Sequence, residues 1–175
     1  VTKFVPLRLD HEQKWKLDMK ELEESIGPKT KILLLNTPHN PTGKVFTQEE
    51  LECIAEIVER NPQVTVVVDE VYEKLVYDGK YHNRFSKIPG MWDRTLTVSS
   101  CGKTFSITGW KLGWVYGHAD LVKAVMITNQ WVHYCVSSPI QKAMADILRQ
   151  ADQPFKGKET YYEFVRDVYN AKRDK

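Results

Sequence analysis

The chain is poor in several things, and each shortage removes a class of explanation. Among its 175 residues there are only three cysteines, Cys53, Cys101 and Cys135, with no close pair and no CxxC spacing. An odd, sparse set of this kind describes reduced thiols in an intracellular protein, not a disulfide framework. No stretch approaches the roughly 18 apolar residues of a membrane span, so no membrane partner is expected. Charge of one sign is not in excess. The formal net charge is +2, too small to argue for nucleic acid or an anionic surface. Internal repeats and low-complexity tracts are absent, and no metal ligand set is expected. The first residues, "VTKFVPLRLDHEQK", hold neither an initiator Met nor the apolar stretch of a secretory leader. The expectation is a processed or truncated chain with a cytoplasmic home, a mitochondrial one staying open.

What is present is ordinary globular material, 42% hydrophobic and 27% charged, enough for one domain with a real core. "LDMKELEESI" (17–26) has helical spacing, an Asp near its start and Gly27 just past its end. "KILLLNT" (31–37) is a short continuous apolar run, which predicts a strand covered on both faces. "PHNPTG" (38–43) is dense turn chemistry. Thr47 and Glu50 form a capping box that opens a helix running to about Arg60. "VTVVVDE" (64–70) and "TLTVSS" (95–100) are the next strands, and "LGWVYG" (112–117) is a fourth. The glycine-rich link before the fourth is about a dozen residues, short for a parallel crossover, so that strand is expected to run antiparallel. From Ala119 onward the pattern is helical. The fold class is therefore α/β, a mostly parallel sheet with one antiparallel strand and flanking helices. "QADQPFKGK" (150–158) reads as a linker, dividing a sheet domain (1–150) from a terminal helical segment (151–175).

Ligands of open parallel sheets bind beyond the carboxyl ends of the strands. After the first strand comes Asn40. At the end of the second stand Asp69, Glu70 and Tyr72. After the third come Ser100, Gly102 and Lys103. Each has an ordinary reading: Asn40 a turn residue, Asp69 a helix cap for "EVYEKLVY", Tyr72 a core tyrosine. Lys103 is harder to dismiss. Gly102 suggests special backbone geometry or close approach, and no acidic residue lies between Val98 and Asp120 to pair with the lysine locally. A partly desolvated lysine on a site rim becomes a nucleophile. Lys111, with Ser100 and Ser106 nearby, is either a surface lysine or a phosphate ligand. An amine nucleophile, a buried carboxylate, phenol and amide donors and an anion pocket together meet the needs of pyridoxal phosphate chemistry.

The segments "NTPHNPTGKVF", "VVVDEVYEKLVYDG" and "SSCGKTFSITGWKLGW", in that order, resemble the large-domain motifs of fold-type I, class I pyridoxal phosphate aminotransferases. With "PGMWDRTLTV" added, the resemblance is nearest to the kynurenine aminotransferases, also called glutamine transaminase K or cysteine-S-conjugate β-lyases. It covers about Val5 to Arg173. The resemblance implies that Lys103 is the Schiff-base lysine and proton carrier, and that Asp69 is the partner of the pyridine nitrogen. It makes Tyr72 and Asn40 donors to the cofactor's 3′-oxygen, and Ser100 and Lys111 phosphate ligands. Trp110 and Trp114 are left as packing residues. Cys101 stands where relatives usually carry Ala, a small-for-small packing change. The resemblance further implies an amino-acid donor (kynurenine, glutamine, aromatic or sulfur amino acids), a 2-oxo-acid acceptor and a homodimer. β-Lyase activity, another amino-acid specificity, and a non-catalytic fragment are the alternatives. Family members are more than twice as long, so the expectation is a central portion, without the N-terminal cofactor contacts and without the arginine that grips the substrate carboxylate.

Overall fold

A computed structural model describes residues 1–12 and 14–175. A short antiparallel hairpin, β1 (Leu7–Leu9) and β2 (Trp15–Leu17), precedes helix α1 (Met19–Ser25). Then follow β3 (Ile32–Asn36), α2 (Gln48–Glu59), β4 (Thr65–Asp69), β5 (Thr95–Ser100), the one-turn α3 (Cys101–Thr104) and β6 (Gly113–Gly117). Helices α4 (Ala119–Val132), α5 (Ser138–Ala151) and α6 (Tyr161–Arg173) complete the chain. The main sheet has the order β3-β4-β5-β6; the first two pairings are parallel and the last is antiparallel. Both the fold class and the direction of β6 agree with the sequence reading. The hairpin was not expected. Its strands have three residues each, too few for a period-2 pattern to show.

Local rules account for the helix boundaries. Asp18 accepts the Glu21 N–H at 3.0 Å and starts α1. Thr47 and Glu50 form the reciprocal capping box, at 3.2 and 3.0 Å, satisfying two donors that the first turn of α2 would otherwise strand. The second carboxylate oxygen of Glu50 takes the ammonium of Lys44 at 2.6 Å. Lys44 also donates to the Trp15 carbonyl at 2.9 Å, and so ties the hairpin to α2.

Alternation along β4 defines the two faces of the sheet. Val66, Val68 and Glu70 are buried, while Thr65, Val67 and Asp69 are half-covered. The buried face meets Leu51, Ile54 and Val58 of α2, Leu22 of α1, and Phe85, Ile88 and Met91 from the β4–β5 crossover. Removing a side chain of this size from water stabilises by about 1.5–3 kcal/mol, so this layer is the main core; Met144 and Ala151 of α5 and Val165 of α6 are buried outside it. β3 departs from expectation. Leu35 is buried, but Ile32 and Leu34 are 62% and 69% exposed. β3 lies at the sheet edge, and its second face carries no covering element among the described residues. Trp110 and Trp114 also differ from their expected packing role, at 40% and 37% exposed. No helix of the described residues is long and apolar enough to cross a membrane.

Candidate active site

The carboxyl ends of β3, β4 and β5 open on two neighbouring clefts that share Lys103. The first, about 560 Å³, is walled by His39 and Asn40 after β3, by Tyr72 after β4, and by Tyr169 and Arg173 of α6. The second, about 490 Å³, is walled by Ser100, Gly102, Thr108, Lys111 and Gly113. Asn40, Tyr72, Ser100, Lys103 and Lys111 therefore all line this rim.

The turn after β3 is held at both ends. Asn36 receives the Asn40 N–H at 2.8 Å and donates its own amide to the Asp69 carbonyl at 3.0 Å. The Asn40 amide donates to the Tyr72 phenol at 3.3 Å. A carboxamide and a phenol thus meet as a pair beside the lysine. The His39 Nδ1 and the Thr42 hydroxyl share a hydrogen bond at 2.8 Å, and burial pushes the His39 pKa below the usual histidine value.

Asp69 ends β4 on the half-covered face, opposite Asn36 on one side and Val98 on the other. It is not a helix cap: residues 71–74 form turns. One carboxylate oxygen accepts the Val71 N–H at 3.1 Å and closes that turn. Asp69 does not line either cleft directly.

α3 starts at Ser100, whose hydroxyl accepts the Gly102 N–H at 3.0 Å and donates to the Leu112 carbonyl at 3.1 Å. Its one proton is committed, so an anion in the second cleft would receive it only by displacing that carbonyl. Cys101 is fully buried with its thiol on the same carbonyl at 3.0 Å, and burial raises its pKa. Gly102 is needed for close approach, not for an unusual φ. A Cβ there would stand 3.2 Å from both the Ser100 hydroxyl and the Thr108 Cα. Lys103 follows, exposed at the junction of the clefts. Lys111 sits in the left-handed region at φ 54°, which costs a non-glycine residue about 1–2 kcal/mol. Among the described residues neither lysine forms an ion pair; Asp78, which lines the first cleft with Lys103, is held by Arg173.

One group of residues escaped the sequence reading. Glu70 is fully buried. Arg84 donates to its Oε2 at 2.8 Å, and the Nε2 of His82 lies 3.0 Å from the same oxygen. Arg84 also reaches the Glu73 carboxylate and the Tyr116 phenol, and the Ser99 hydroxyl donates to Glu73 at 3.3 Å. Burial disfavours the Arg84 charge, but Glu73, Tyr116 and Glu70 outweigh it, and its pKa is raised. The Tyr116 pKa is raised too, by burial first and then by Glu70. The available signal was the strand period: Glu70 continues the buried series Val66, Val68.

Comparison with known proteins identifies the family. Residues 1–174 match the family described as "Aminotransferase class I and II". The chain belongs to the class I and II aminotransferases. It is 45% identical over 161 residues to a kynurenine–oxoglutarate transaminase of Dictyostelium discoideum, covering 91% of this chain and 36% of that protein. It is 40% identical over 183 residues to kynurenine–oxoglutarate transaminase 3 of Homo sapiens, covering 98% and 39%. Among solved structures, N-succinyldiaminopimelate aminotransferase from Mycobacterium tuberculosis superimposes with a TM-score of 0.89 at 38% identity, covering 97% of this chain and 42% of the other. The aromatic aminotransferase from Pyrococcus horikoshii gives 0.84 at 33% identity, covering 97% and 43%. This aminotransferase chain therefore spans well under half the length of the relatives that it matches.

Proposed function

We propose that this chain forms the cofactor-binding centre of a pyridoxal 5′-phosphate-dependent transaminase. That enzyme moves an amino group from kynurenine, glutamine or an aromatic or sulfur amino acid to a 2-oxo acid, and works as a homodimer. The observation that carries the reading is Lys103, shared by two clefts with an amide–phenol pair on one side and a lysine-and-glycine anion cradle on the other. The names of the relatives support kynurenine as donor and oxoglutarate as the 2-oxo acid; the other donors rest on the motif resemblance.

The residues fit the cofactor. The Gly102 and Gly113 backbones form a wall that a Cβ would crowd, and Lys111 contributes positive charge beside it. When bound, pyridoxal phosphate supplies an electron sink for the charge left by a departing α-proton. Lys103 Nζ is the amine that holds the cofactor and the base that takes and returns that proton. The Asp69 carboxylate, which borders the rim without lining either cleft, would supply the negative charge that keeps a ring nitrogen protonated. Asn40 and Tyr72 would donate to a ring oxygen, and phosphate would be held by Lys111 and by Ser100 once its hydroxyl leaves the Leu112 carbonyl.

Borohydride reduction in the presence of pyridoxal phosphate, followed by peptide mapping, tests the reading. The label is expected on Lys103. A label on Lys111 alone, or on no lysine, would overturn it. A kynurenine and 2-oxo-acid assay of the protein carrying this chain tests the substrate classes.

A further inference from the structure

We propose that Arg84 is a positioning residue whose guanidinium fixes the exit of β4 against the exit of β5, so that Asp69 and Tyr72 keep their spacing to Ser100 and Lys103. The proposal rests on the cofactor-site reading above for its consequence, but its geometry stands apart from that reading.

Two of the three partners of Arg84 are one step from a site residue. Glu70 follows Asp69, and Glu73 follows Tyr72. Tyr116 lies opposite Thr97 in the β5–β6 ladder. Glu73 in turn accepts from Ser99, the neighbour of Ser100. The clamp therefore grips both strand exits from the buried face, while the site residues emerge on the other. The segment between them, residues 70–94, contains turns and two short 3-10 helices and no α-helix. The β4–β5 ladder sets their register as far as Asp69 and Val98, with a last backbone bond from the Glu70 N–H to the Val98 carbonyl at 2.8 Å; beyond it the crossover has no helix to hold the two exits together. Three acceptors on one planar fork supply that rigidity.

The chemistry also favours a positional role over a merely stabilising one. Glu70 is 0% exposed and Glu73 13%, against one arginine and the 7% exposed His82. The Oε1 of Glu70 and the Nδ1 of His82 make no hydrogen bond among the described residues, and the His82 Nε2 lies 3.0 Å from Glu70 Oε2 without the alignment of a hydrogen bond. Buried ionic groups of this kind are a poor route to stability, since apolar packing often does as well. What they supply well is a fixed geometry.

Two variants and one control separate the roles. Arg84→Met keeps the length and removes the fork. Arg84→Lys keeps the charge but offers a single ammonium in place of the planar donors. Leu22→Ala, a core cavity in α1, lowers global stability without touching the clamp. Amide hydrogen exchange on the chain reads two protons without any cofactor: the Val71 N–H on the Asp69 carboxylate and the Gly102 N–H on the Ser100 hydroxyl. All rates are compared under conditions where global unfolding is negligible. Arg84→Met is expected to speed exchange at both by at least about tenfold, the worth of one hydrogen bond to a charged group. Arg84→Lys should recover part of that, and Leu22→Ala should leave both protons slow. Pyridoxal phosphate titration should then weaken in the same order. Unchanged exchange in Arg84→Met, or equal loss in Leu22→Ala, would overturn the clamp whatever the cofactor does. Loss of protection without weaker cofactor binding would preserve the clamp and reject the site reading.

Discussion

Gly113 gives a prediction whose magnitude follows from one distance. It pairs with Ser100 across the antiparallel β5–β6 ladder and lines the cleft that Lys103 and Lys111 share. A Cβ built on it would lie 2.9 Å from the Ser99 carbonyl oxygen and 3.6 Å from the Ser100 Cβ. Ordinary contact begins near 3.4 Å, so Gly113→Ala must open the two strands by about half an ångström. Forced overpacking of one methyl costs roughly 1–3 kcal/mol. Loss of glycine freedom in the unfolded chain returns about 0.4–1 kcal/mol. The expected net destabilisation is therefore about 1–2 kcal/mol, a fall in Tm of roughly 2–8 °C for a chain of this size. Gly109→Ala is the matched control, because a Cβ there meets nothing within 4 Å; it should leave stability unchanged or raise it by up to about 1 kcal/mol. Urea unfolding followed by circular dichroism reads both. Because Ser100 faces Gly113 and caps α3, the same half-ångström should disturb Lys103, and pyridoxal phosphate affinity should fall by about tenfold, one hydrogen bond's worth. If Gly113→Ala matches the wild type in stability, or Gly109→Ala loses as much, the steric reasoning is wrong.

Other perturbations test separate parts of the site. Asp69→Asn keeps an oxygen for the Val71 N–H, so the unfolding midpoint should hardly move; in the holoenzyme it removes the proposed partner of the ring nitrogen, and breaking such an enclosed ion pair costs roughly 3–5 kcal/mol, so turnover should drop at least about a hundredfold, and near-normal turnover would reduce Asp69 to a turn cap. Lys111→Asn relieves the left-handed strain at φ 54°, so urea unfolding should show equal or greater stability, by up to about 1 kcal/mol, while inorganic phosphate binds more weakly. Lys44→Ala removes charged hydrogen bonds to Glu50 and the Trp15 carbonyl and should cost about 1.5–3 kcal/mol. His39 has a pKa lowered by burial, so the unfolded chain binds its proton more readily. Stability is full above the ordinary value near 6.5 and declines as pH falls from there toward the folded pKa. His39→Gln should flatten that part of a pH–stability curve and leave the region above pH 7 unchanged.

Much of the fold could be read from the chain because local and global signals agreed. The capping box at Thr47 and Glu50, the Asp18 cap and the proline in the first turn of α5 each act within a few residues, so the helices they open were legible. The direction of β6 followed from a link too short for a parallel crossover. β3 was misjudged because an apolar run reports what a strand could bury, not what covers it, and Ile32 and Leu34 remain exposed. The hairpin escaped because three-residue strands carry no period. At the rim, strand ends alone brought Asn40, Tyr72, Ser100, Lys103 and Lys111 to one place. The double commitment of the Ser100 hydroxyl depended on tertiary geometry, because one of its partners, Leu112, lies twelve residues on.

The end of β4 shows why one neighbour was legible and the next was not. Asp69 and Glu70 are adjacent acids after five apolar or β-branched residues, Val64 to Val68, and composition treats them alike. Period 2 does not. Asp69 follows Val67 onto the half-covered face, where it can address a ligand; Glu70 follows Val68 into the core, where it must find a cation. A carboxylate at zero exposure is tolerable only if paired, so placing Glu70 in register already demands a partner such as Arg84, fourteen residues on. Motif reading looked for groups that could do chemistry and stopped at Asp69. Asking what each buried charge must touch would have reached the clamp from the sequence. It would also have identified the register of β4 as the feature on which both depend, since a slip of one residue exchanges the two acids between faces.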